Sequence, residues 1–330
     1  MIQTALFEMR KQISLLFLVF ASAWPACAAP ANSPSLSLAG QRVLWLGDSI
    51  TADGKYVTDV EYYLNRQFPD AKFDLVSIGL SSETVSGLSE KQHPFPRPCV
   101  LERLQRALDQ VKPQVVVACY GMNDGIYHPL GEERSRAFRA GIEKLIAAAK
   151  VAGAQVILLT PPPFDPLPIH ARLRPGGAAD YSYVTPFEKY DEVLADYARW
   201  ELTLSPATAM IVDLHTPLAE ETARRRVNNP NFTFSGDGIH PSAEGHLLMA
   251  LTILKALGVT VKAPDLETEV VRLQADPLFA LVSRHRETRS RGWLPFVGYT
   301  RGETIKTTSV EAAETSARAL ARQIDPLRKP

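Results

Sequence analysis

Five short apolar segments, separated by segments with helical periodicity, place the strongest constraint on how this chain folds. The apolar segments are residues 42–47, 73–79, 114–121, 155–161 and 209–215. Each is continuously apolar rather than alternating, which is typical of strands covered on both faces, as in a parallel sheet. The intervening segments carry apolar residues three and four apart, and one of them ends at Gly153, a typical helix C-terminal residue. The pattern predicts an α/β fold: a three-layer α/β/α sandwich with a five-stranded parallel sheet and right-handed connections.

The chain after the last predicted strand divides into two parts. Pro241 and Gly258 are placed to begin and end a final core helix. From residue 262 onward the sequence becomes more charged and amphipathic, with two or more further helical patterns. We therefore predict a main domain over residues 30–261 and a C-terminal helical appendage over residues 262–330 that packs on it.

The N-terminal segment, residues 1–29, has the order of a secretory signal peptide. Arg10 and Lys11 precede an apolar run over residues 13–24, and the small residues of "ACAAP" follow and fit a cleavage site. The apolar run is short for a bilayer span. We expect an exported protein, secreted or periplasmic, with no stable membrane insertion after cleavage. A lipid anchor on Cys27 is an alternative that the sequence leaves open.

Charge and cysteine content exclude several classes of protein. The 36 Lys and Arg side chains equal the 36 Asp and Glu side chains, whereas a nucleic-acid-binding protein needs a basic excess, so we expect no nucleic-acid partner. No Cys/His ligand cluster or His-Glu-x-x-His motif is present, so we expect no metal and no other cofactor. Outside the leader, Cys99 and Cys119 could pair in an oxidising compartment. Cys119 lies in a predicted strand, where a buried free thiol is the simpler interpretation.

Four short polar blocks follow predicted strands or precede the last core helix. Ser49 lies in "GDSI" after the first strand, Gly79 in "SIGLSSE" after the second, and Asn123 in "GMND" after the third. Asp237 and His240 lie in "SGDGIHPS", ahead of the last core helix. Because open α/β sheets bind ligands at the carboxyl ends of their strands, we expect these residues to converge at one edge.

In this order, the four blocks resemble the SGNH branch of the GDSL esterase/lipase family, over roughly residues 42–255. The resemblance implies a flavodoxin-like SGNH hydrolase fold, which would make residues 30–261 the hydrolase domain. It also implies a serine hydrolase that acts on carboxylic esters, with the block residues as its catalytic groups.

The residue types support a Ser49, Asp237, His240 triad independently. A serine hydroxyl is a weak nucleophile until a base takes its proton, and His240 can be that base if its loop folds back over the first strand. Asp237 precedes His240 by three residues, and Gly238 between them lets the backbone bend. The Asp237 carboxylate can then accept a hydrogen bond from the other imidazole nitrogen and stabilise the imidazolium.

The negative charge that develops on the substrate oxygen needs preorganised donors. The candidates are the backbone N–H groups of Ser49 and Gly79 and the side-chain amide of Asn123. Gly79 suits this position because it has no Cβ to obstruct the substrate. The amide of Asn123 donates without changing charge with pH.

Other polar residues near the blocks are given structural roles. Asp48 and Asp124 flank the proposed catalytic positions and are expected to accept hydrogen bonds from loop backbone, and His246 is expected to be structural. The remaining histidines have no partner at a useful spacing in the sequence: His93, His128, His170, His215 and His285.

Two long loops and one aromatic segment bear on the substrate. Residues 81–98 and 161–189 leave the carboxyl ends of predicted strands, and long loops in compact domains tend to be functional. Residues 283–301 mix arginines with aromatic residues. They could form a lid for a sugar, but we favour a solvated helix followed by a hydrophobic plug.

The sequence therefore predicts a secreted serine esterase that works through an acyl-enzyme, with O-acetyl groups on carbohydrate as the favoured substrate. An acylated small molecule or glycan is the expected partner. Five aromatic residues in the two loops fit a sugar: Phe95, Phe164, Tyr181, Tyr183 and Phe187. The alternatives are a lysophospholipase, thioesterase or arylesterase of the same family, an acyltransferase, and a non-catalytic glycan-binding module.

Overall fold

The computed structural model describes residues 37–300 and 309–329, so the predicted leader and Cys27 lie outside the described residues. Five strands form one sheet: Arg42–Gly47 (β1), Asp74–Ser77 (β2), Val115–Cys119 (β3), Gln155–Leu159 (β4) and Met210–Val212 (β5). The strand order is β2-β1-β3-β4-β5 and all neighbours are parallel. This is the order of flavodoxin-like sheets, in which ligands bind where the order reverses, beside β1 and β3. The predicted five-stranded parallel sheet is confirmed.

The strand register explains why the polar blocks meet. Trp45 of β1 pairs with Ser77 of β2, and Gly47 of β1 pairs with Cys119 of β3. The blocks that follow β1, β2 and β3 therefore begin within a few residues of the same sheet edge. Every residue of β3 is buried, as continuous apolarity predicts for a strand covered on both faces.

Seven helices belong to the part of the chain that contains the sheet. They are Ser49–Asp53 (α1), Lys55–Gln67 (α2), Val100–Val111 (α3), Glu132–Val151 (α4), Tyr190–Glu201 (α5), His215–Arg226 (α6) and Ala243–Ala256 (α7), with 3₁₀ turns at Leu167–Arg172 and Leu202–Ala207. Gly153 follows α4 with φ 78°, consistent with a helix C-terminal residue.

Two features of these helices differ from the sequence prediction. Helix α6 was not predicted, because its charged sequence buries only His215 and Leu218 and has no apolar stripe. Helix α7 begins at Ala243 rather than at Pro241, since the Ser242 side chain caps it by accepting from the Gly245 N–H.

Within the described residues, three further helices follow the sheet-containing part: Leu266–Ala275 (α8), Pro277–Val297 (α9) and Val310–Ile324 (α10). The prediction of a solvated α9 is wrong for two arginines. Arg286 and Arg289 are buried, Arg286 Nε donates to Thr58 Oγ1 at 2.8 Å, and Arg289 Nη1 donates to the Leu75 carbonyl at 2.8 Å. These side chains lie inward because polar groups of α2 and β2 satisfy their N–H groups. Arg286 and Arg289 thus attach α9 to helix α2 and to strand β2.

The aromatic end of α9 agrees in part with a packing plug. Trp293 is buried and its indole N–H donates to the Glu314 carboxylate of α10, whereas Phe296 is 40% exposed. Cys99 and Cys119 are both free thiols, so the alternative of a disulfide between them is wrong. Cys119 is buried at the end of β3. Within residues 37–300 and 309–329, no helix combines the length and hydropathy needed to cross a bilayer.

Candidate active site

Ser49, His240 and Asp237 form a continuous hydrogen-bonded chain at the carboxyl edge of the sheet. His240 Nε2 lies 2.7 Å from Ser49 Oγ, and His240 Nδ1 lies 2.7 Å from Asp237 Oδ2. The loop before α7 therefore folds back over the end of β1, as the sequence analysis requires. With Nδ1 donating to the carboxylate, Nε2 is the nitrogen that can accept the serine proton.

The loop that carries Asp237 and His240 is organised locally. Asp237 Oδ1 accepts from the backbone N–H groups of Ile239 at 2.9 Å and His240 at 2.8 Å, which closes the turn between acid and base. Gly238 has φ 82°, and a Cβ there would lie 2.6 Å from the Asp165 carbonyl oxygen. The sequence of this turn therefore requires glycine, as the sequence analysis predicted.

Asp237 and His240 each stabilise the charged form of the other. The hydrogen bond that the His240 ring donates to the Asp237 carboxylate raises the pKa of His240 above its usual value, although partial burial opposes the charged form. Partial burial is the largest single effect on Asp237 and opposes its ionisation, but the hydrogen bonds from the His240 ring and from the His240 and Ile239 backbone together outweigh it and hold the pKa of Asp237 below its usual range. Asp237 thus stays ionised and fixes the tautomer of His240.

The nucleophile lies at the first position of the short helix α1. Asp48 precedes it, is buried, and caps α1 by accepting from the Ile50 N–H at 2.9 Å, so it is bonded to backbone as expected, but to helix backbone rather than loop backbone. Burial raises the pKa of Asp48 to about 7. The Ser49 N–H has no acceptor among the described residues, so it is free to bind a substrate oxygen at a helix N-terminus.

Gly79 lies two residues after the end of β2, and backbone hydrogen bonds join its two neighbours to β1. The N–H groups of Ile78 and Leu80 donate to the Trp45 and Gly47 carbonyls, whereas the N–H of Gly79 finds no acceptor within residues 37–300 and 309–329. Its reason for being glycine differs from our expectation. A Cβ would lie 2.4 Å from the backbone N of Ala52, so glycine is required for contact with α1 rather than for access of substrate.

The Asn123 amide is buried and is held at both ends. Nδ2 donates to the Glu83 carbonyl at 3.2 Å, and Oδ1 accepts from the Tyr127 hydroxyl at 3.1 Å. An amide carries two N–H donors, so one remains for a substrate oxygen. Tyr127 has φ 61°, a left-handed conformation unusual for an aromatic residue that is consistent with a functional turn.

A buried polar network that the sequence analysis missed lies behind Asn123. The Glu83 carboxylate accepts from Arg103 Nε and Nη2, both at 2.6 Å, and from the Tyr120 hydroxyl at 2.7 Å. Glu83 and Arg103 are almost fully buried. Glu83 is 20 positions from Arg103 and 37 positions from Tyr120, so no local pattern in the sequence could have indicated these contacts.

Asp124 connects the loops that follow β2 and β3. Its Oδ1 accepts from the backbone N–H groups of Val85 at 2.8 Å and Ser86 at 2.7 Å, and its Oδ2 accepts from Gly121 at 2.9 Å. The expected bonding of Asp124 to loop backbone is confirmed. Asp124 therefore fixes the position of the segment that carries Asn123.

Several of the other histidines have partners that are remote in sequence. His246 is buried between Tyr56 and Asp53, with Nε2 at 3.3 Å from Asp53 Oδ2, and it is structural as predicted. Our view that the remaining histidines lack partners is wrong for four of them. His93 Nε2 lies 3.2 Å from Ser82 Oγ, and His170 Nδ1 lies 3.1 Å from the Leu167 carbonyl oxygen. His215 lies 3.2 Å from Asp191 and His285 lies 3.1 Å from Glu61; these contacts depend on the tertiary fold and not on sequence spacing.

Fold and geometry together define a class of protein: an α/β protein with a serine, histidine and aspartate arranged as in serine hydrolases. Within the described ranges, no group of three or more His, Cys, Asp or Glu side chains is arranged to hold a metal ion.

Comparison with known proteins gives the family. A model of the GDSL-like lipase/acylhydrolase family matches residues 45–248, and the chain belongs to that family. It is a carboxylic ester hydrolase, as the sequence predicted. No curated protein matches the sequence significantly.

Solved structures with a similar fold include two enzymes of low sequence identity. Axe2, an acetylxylan esterase from Geobacillus stearothermophilus, is 21% identical with a TM-score of 0.50, over 68% of this chain and 98% of Axe2. A gut microbial diltiazem-metabolizing enzyme is 20% identical with a TM-score of 0.50, over 68% of this chain. The match spans about half, 48%, of that enzyme. At these identities the likeness shows the fold alone.

Proposed function

We propose that the protein is a secreted serine esterase that removes O-acetyl groups from carbohydrate through an acyl-enzyme on Ser49. The observation that carries the proposal is the 2.7 Å contact between Ser49 Oγ and His240 Nε2, with Asp237 on the far side of the imidazole ring. This contact lets His240 take the hydroxyl proton as the serine oxygen attacks the ester carbonyl.

The first half of the proposed reaction forms the acyl-enzyme. The carbonyl oxygen becomes negatively charged and accepts from the N–H groups of Ser49 and Gly79 and from Asn123 Nδ2. His240, now an imidazolium stabilised by Asp237, gives its proton to the leaving sugar hydroxyl as the bond between the acyl carbon and the sugar oxygen breaks.

The second half hydrolyses the acyl-enzyme. His240 takes a proton from a water molecule, the water oxygen attacks the acyl carbon, and the same donors stabilise the oxyanion. His240 then returns the proton to Ser49 Oγ as the ester bond to serine breaks, which releases a carboxylic acid and regenerates the enzyme.

The openness of the site supports a bulky acylated substrate. The side chains of His240 and Asp237 are 43% and 49% exposed. Phe164, Tyr181 and Phe187 are buried and serve the core, so they cannot face a sugar. Of the five loop aromatics, Phe95 and Tyr183 remain; their rings lie 4.6 and 5.4 Å from the His93 ring.

The fold-level likeness to an acetylxylan esterase agrees with an acetylated glycan as substrate. An analogy at fold level raises the expectation without defining the substrate, since one fold hosts many activities. The leader-like pattern of residues 1–29 supports export, where such glycans are accessible. N-terminal sequencing of the protein recovered outside the cytoplasm tests export; an uncleaved N-terminus would contradict it.

Ser49→Ala tests the nucleophile. The substitution removes the attacking oxygen, so hydrolysis of p-nitrophenyl acetate should fall by about 10⁴-fold or more with an unchanged circular dichroism spectrum. Ser290→Ala is a matched serine control on α9 and should keep near-normal activity. Retained activity in Ser49→Ala would overturn the assignment.

An acyl-chain series from C2 to C12, with acetate release from acetylated xylan, tests the substrate. We expect the highest kcat/KM at C2 and release of acetate from the polysaccharide. A preference for C8 to C12 would favour a lysophospholipase or thioesterase, and preference for aryl over sugar acetates would favour an arylesterase. Acetyl transfer to an added alcohol in preference to water would identify an acyltransferase.

A further inference from the structure

A pocket lies where the C-terminal helices meet α2, and none of Ser49, Asp237 and His240 lines it. Its volume is about 220 Å³, far above the roughly 10–15 Å³ that holds a single water molecule. One wall is apolar and is formed by Val270 and Leu273 of α8 and Phe279 of α9. The pocket is therefore large enough for a small organic molecule with a hydrocarbon part.

The charged groups that line the pocket do not balance. Asp53 pairs with Lys55 at 2.8 Å, and Glu287 lies 3.7 Å from Arg286. The third carboxyl, Asp59 of α2, has no hydrogen bond or ion pair with any described residue. Three acidic groups thus face two basic ones, and the unmatched group is Asp59.

Asp59 is also the most deeply buried of these acids, with 4% of the residue exposed. Arg286 does not compensate it by contact, because its Nε is used by Thr58 Oγ1 at 2.8 Å. Burial raises the pKa of Asp59 to about 8, although the positive charges of Arg286 and Lys55 favour the ionised form. A buried carboxyl without a partner is costly unless something in the pocket supplies the missing hydrogen bonds and charge.

We propose that this pocket binds a small organic cation, a primary ammonium with a short hydrocarbon part, which pairs with the Asp59 carboxylate. The hydrocarbon part lies against Val270 and Leu273, and the Phe279 ring contributes a further favourable contact for a cation. An anionic ligand would add to the acidic excess, and an inorganic cation would leave the apolar wall without a partner. The pocket contains none of the proposed catalytic residues, and the proposal does not depend on the proposed function.

Isothermal titration calorimetry at pH 9 with n-butylammonium chloride on the full chain tests the proposal, because most Asp59 carboxyls are ionised at that pH. We expect saturable binding of n-butylammonium, at least tenfold weaker binding of 1-butanol, and no binding of sodium butyrate. Potassium chloride at the same ionic strength should not compete. Equal binding of 1-butanol would show that charge plays no part, and no binding of n-butylammonium up to 50 mM, on the order of the weakest useful affinity, would overturn the proposal.

Two variants locate the binding site. Asp59→Asn keeps the shape of the side chain and removes its charge, so n-butylammonium should bind at least about tenfold more weakly. Glu287→Gln is the matched control, since it removes a more exposed carboxylate of the same pocket and should change affinity by less than about threefold. An equal loss in both variants would contradict the assignment to Asp59. If Asp59→Asn fails to fold, the comparison of n-butylammonium with 1-butanol on the native chain still decides the proposal.

The pH dependence gives an independent measurement. The charged groups facing Asp59 are Lys55 from its own helix, Asp53 from α1, and Arg286 and Glu287 from α9; α7 and α8 add no titratable side chain to the pocket. About one Asp59 in thirty is ionised at pH 6.5 and about nine in ten at pH 9, where a primary amine is still protonated. Affinity should therefore rise by about tenfold or more between these pH values. Affinity that is flat or falls would contradict pairing with Asp59.

Discussion

The two halves of the candidate active site are built in different ways. The half that holds Asp237 and His240 is about half exposed, and the bonds between acid and base lie within four residues of one loop. The half that holds Asn123 is buried, and its partners come from the loop after β2 and from the turn after β3. Behind it, a further ion pair with Arg103 reaches α3.

Because of this difference, we expect substitutions in the two halves to have different effects on activity and on stability. Exposed, locally bonded groups contribute little to the free energy of folding, so their replacement should affect the reaction alone. Buried groups in a charged network contribute to both, because their loss leaves unpaired polar atoms in the interior. The following experiments measure how cleanly the two halves separate.

The largest expected effect is on the exposed half. His240→Ala removes the base, and kcat for p-nitrophenyl acetate should fall by about 10⁴-fold or more. The melting temperature should stay within about 2 °C of the native value, because the side chain is 43% exposed. His170→Ala, at an exposed histidine that is not part of the triad, is the control. A large loss of stability in His240→Ala would break the proposed contrast.

Asn123→Ala should have an intermediate effect on the reaction. Loss of one oxyanion donor lowers kcat by about 10²–10³-fold with a much smaller change in KM. Because Asn123 is buried and bonded to Glu83 and Tyr127, the melting temperature should also fall measurably. A change confined to KM would count against the oxyanion role.

Glu83→Gln tests the network behind Asn123. It breaks the buried pair with Arg103, so the free energy of unfolding should drop by about 3–5 kcal/mol. The kcat should fall by only about tenfold, since Glu83 positions Asn123 through its backbone carbonyl and not through its carboxylate. Glu132→Gln, in a highly exposed ion pair, should change neither quantity noticeably. A loss of stability below 1 kcal/mol in Glu83→Gln would contradict this role.

The smallest expected effect is on the pH profile. His240 must be neutral to act as a base, so kcat/KM should rise with pH through the pKa of His240, which Asp237 raises above the usual value. In Asp237→Asn the residual activity should rise at a lower pH, because the neutral amide no longer favours the imidazolium. If kcat/KM of Asp237→Asn rises over the same pH range as that of the native enzyme, a group other than His240 controls the rise.

The same contrast explains what could be predicted from the sequence. Asp237 and His240 were found because their contact is local, and Ser49 because an apolar strand ends two residues before it. Glu83, Arg103 and Tyr120 were missed because their contacts depend on where α3 packs. The requirement for glycine at position 79 was given the wrong reason, since contact with the α1 backbone is a tertiary event. The buried arginines of α9 were missed because a charged helix is usually solvated.

The turn from Asp237 to His240 also determines how the catalytic groups can move relative to one another. Because acid and base belong to one turn, any shift of the loop carries both together and alters only the separation between His240 and Ser49. That separation depends on where the loop is attached: the Gly238 carbonyl accepts from the Asp165 N–H, and Arg226 holds the Asp165 carboxylate at 2.6 Å. Asp165 is thus one attachment that fixes the turn relative to the rest of the fold, and a substitution there changes the His240–Ser49 distance without touching a reacting atom.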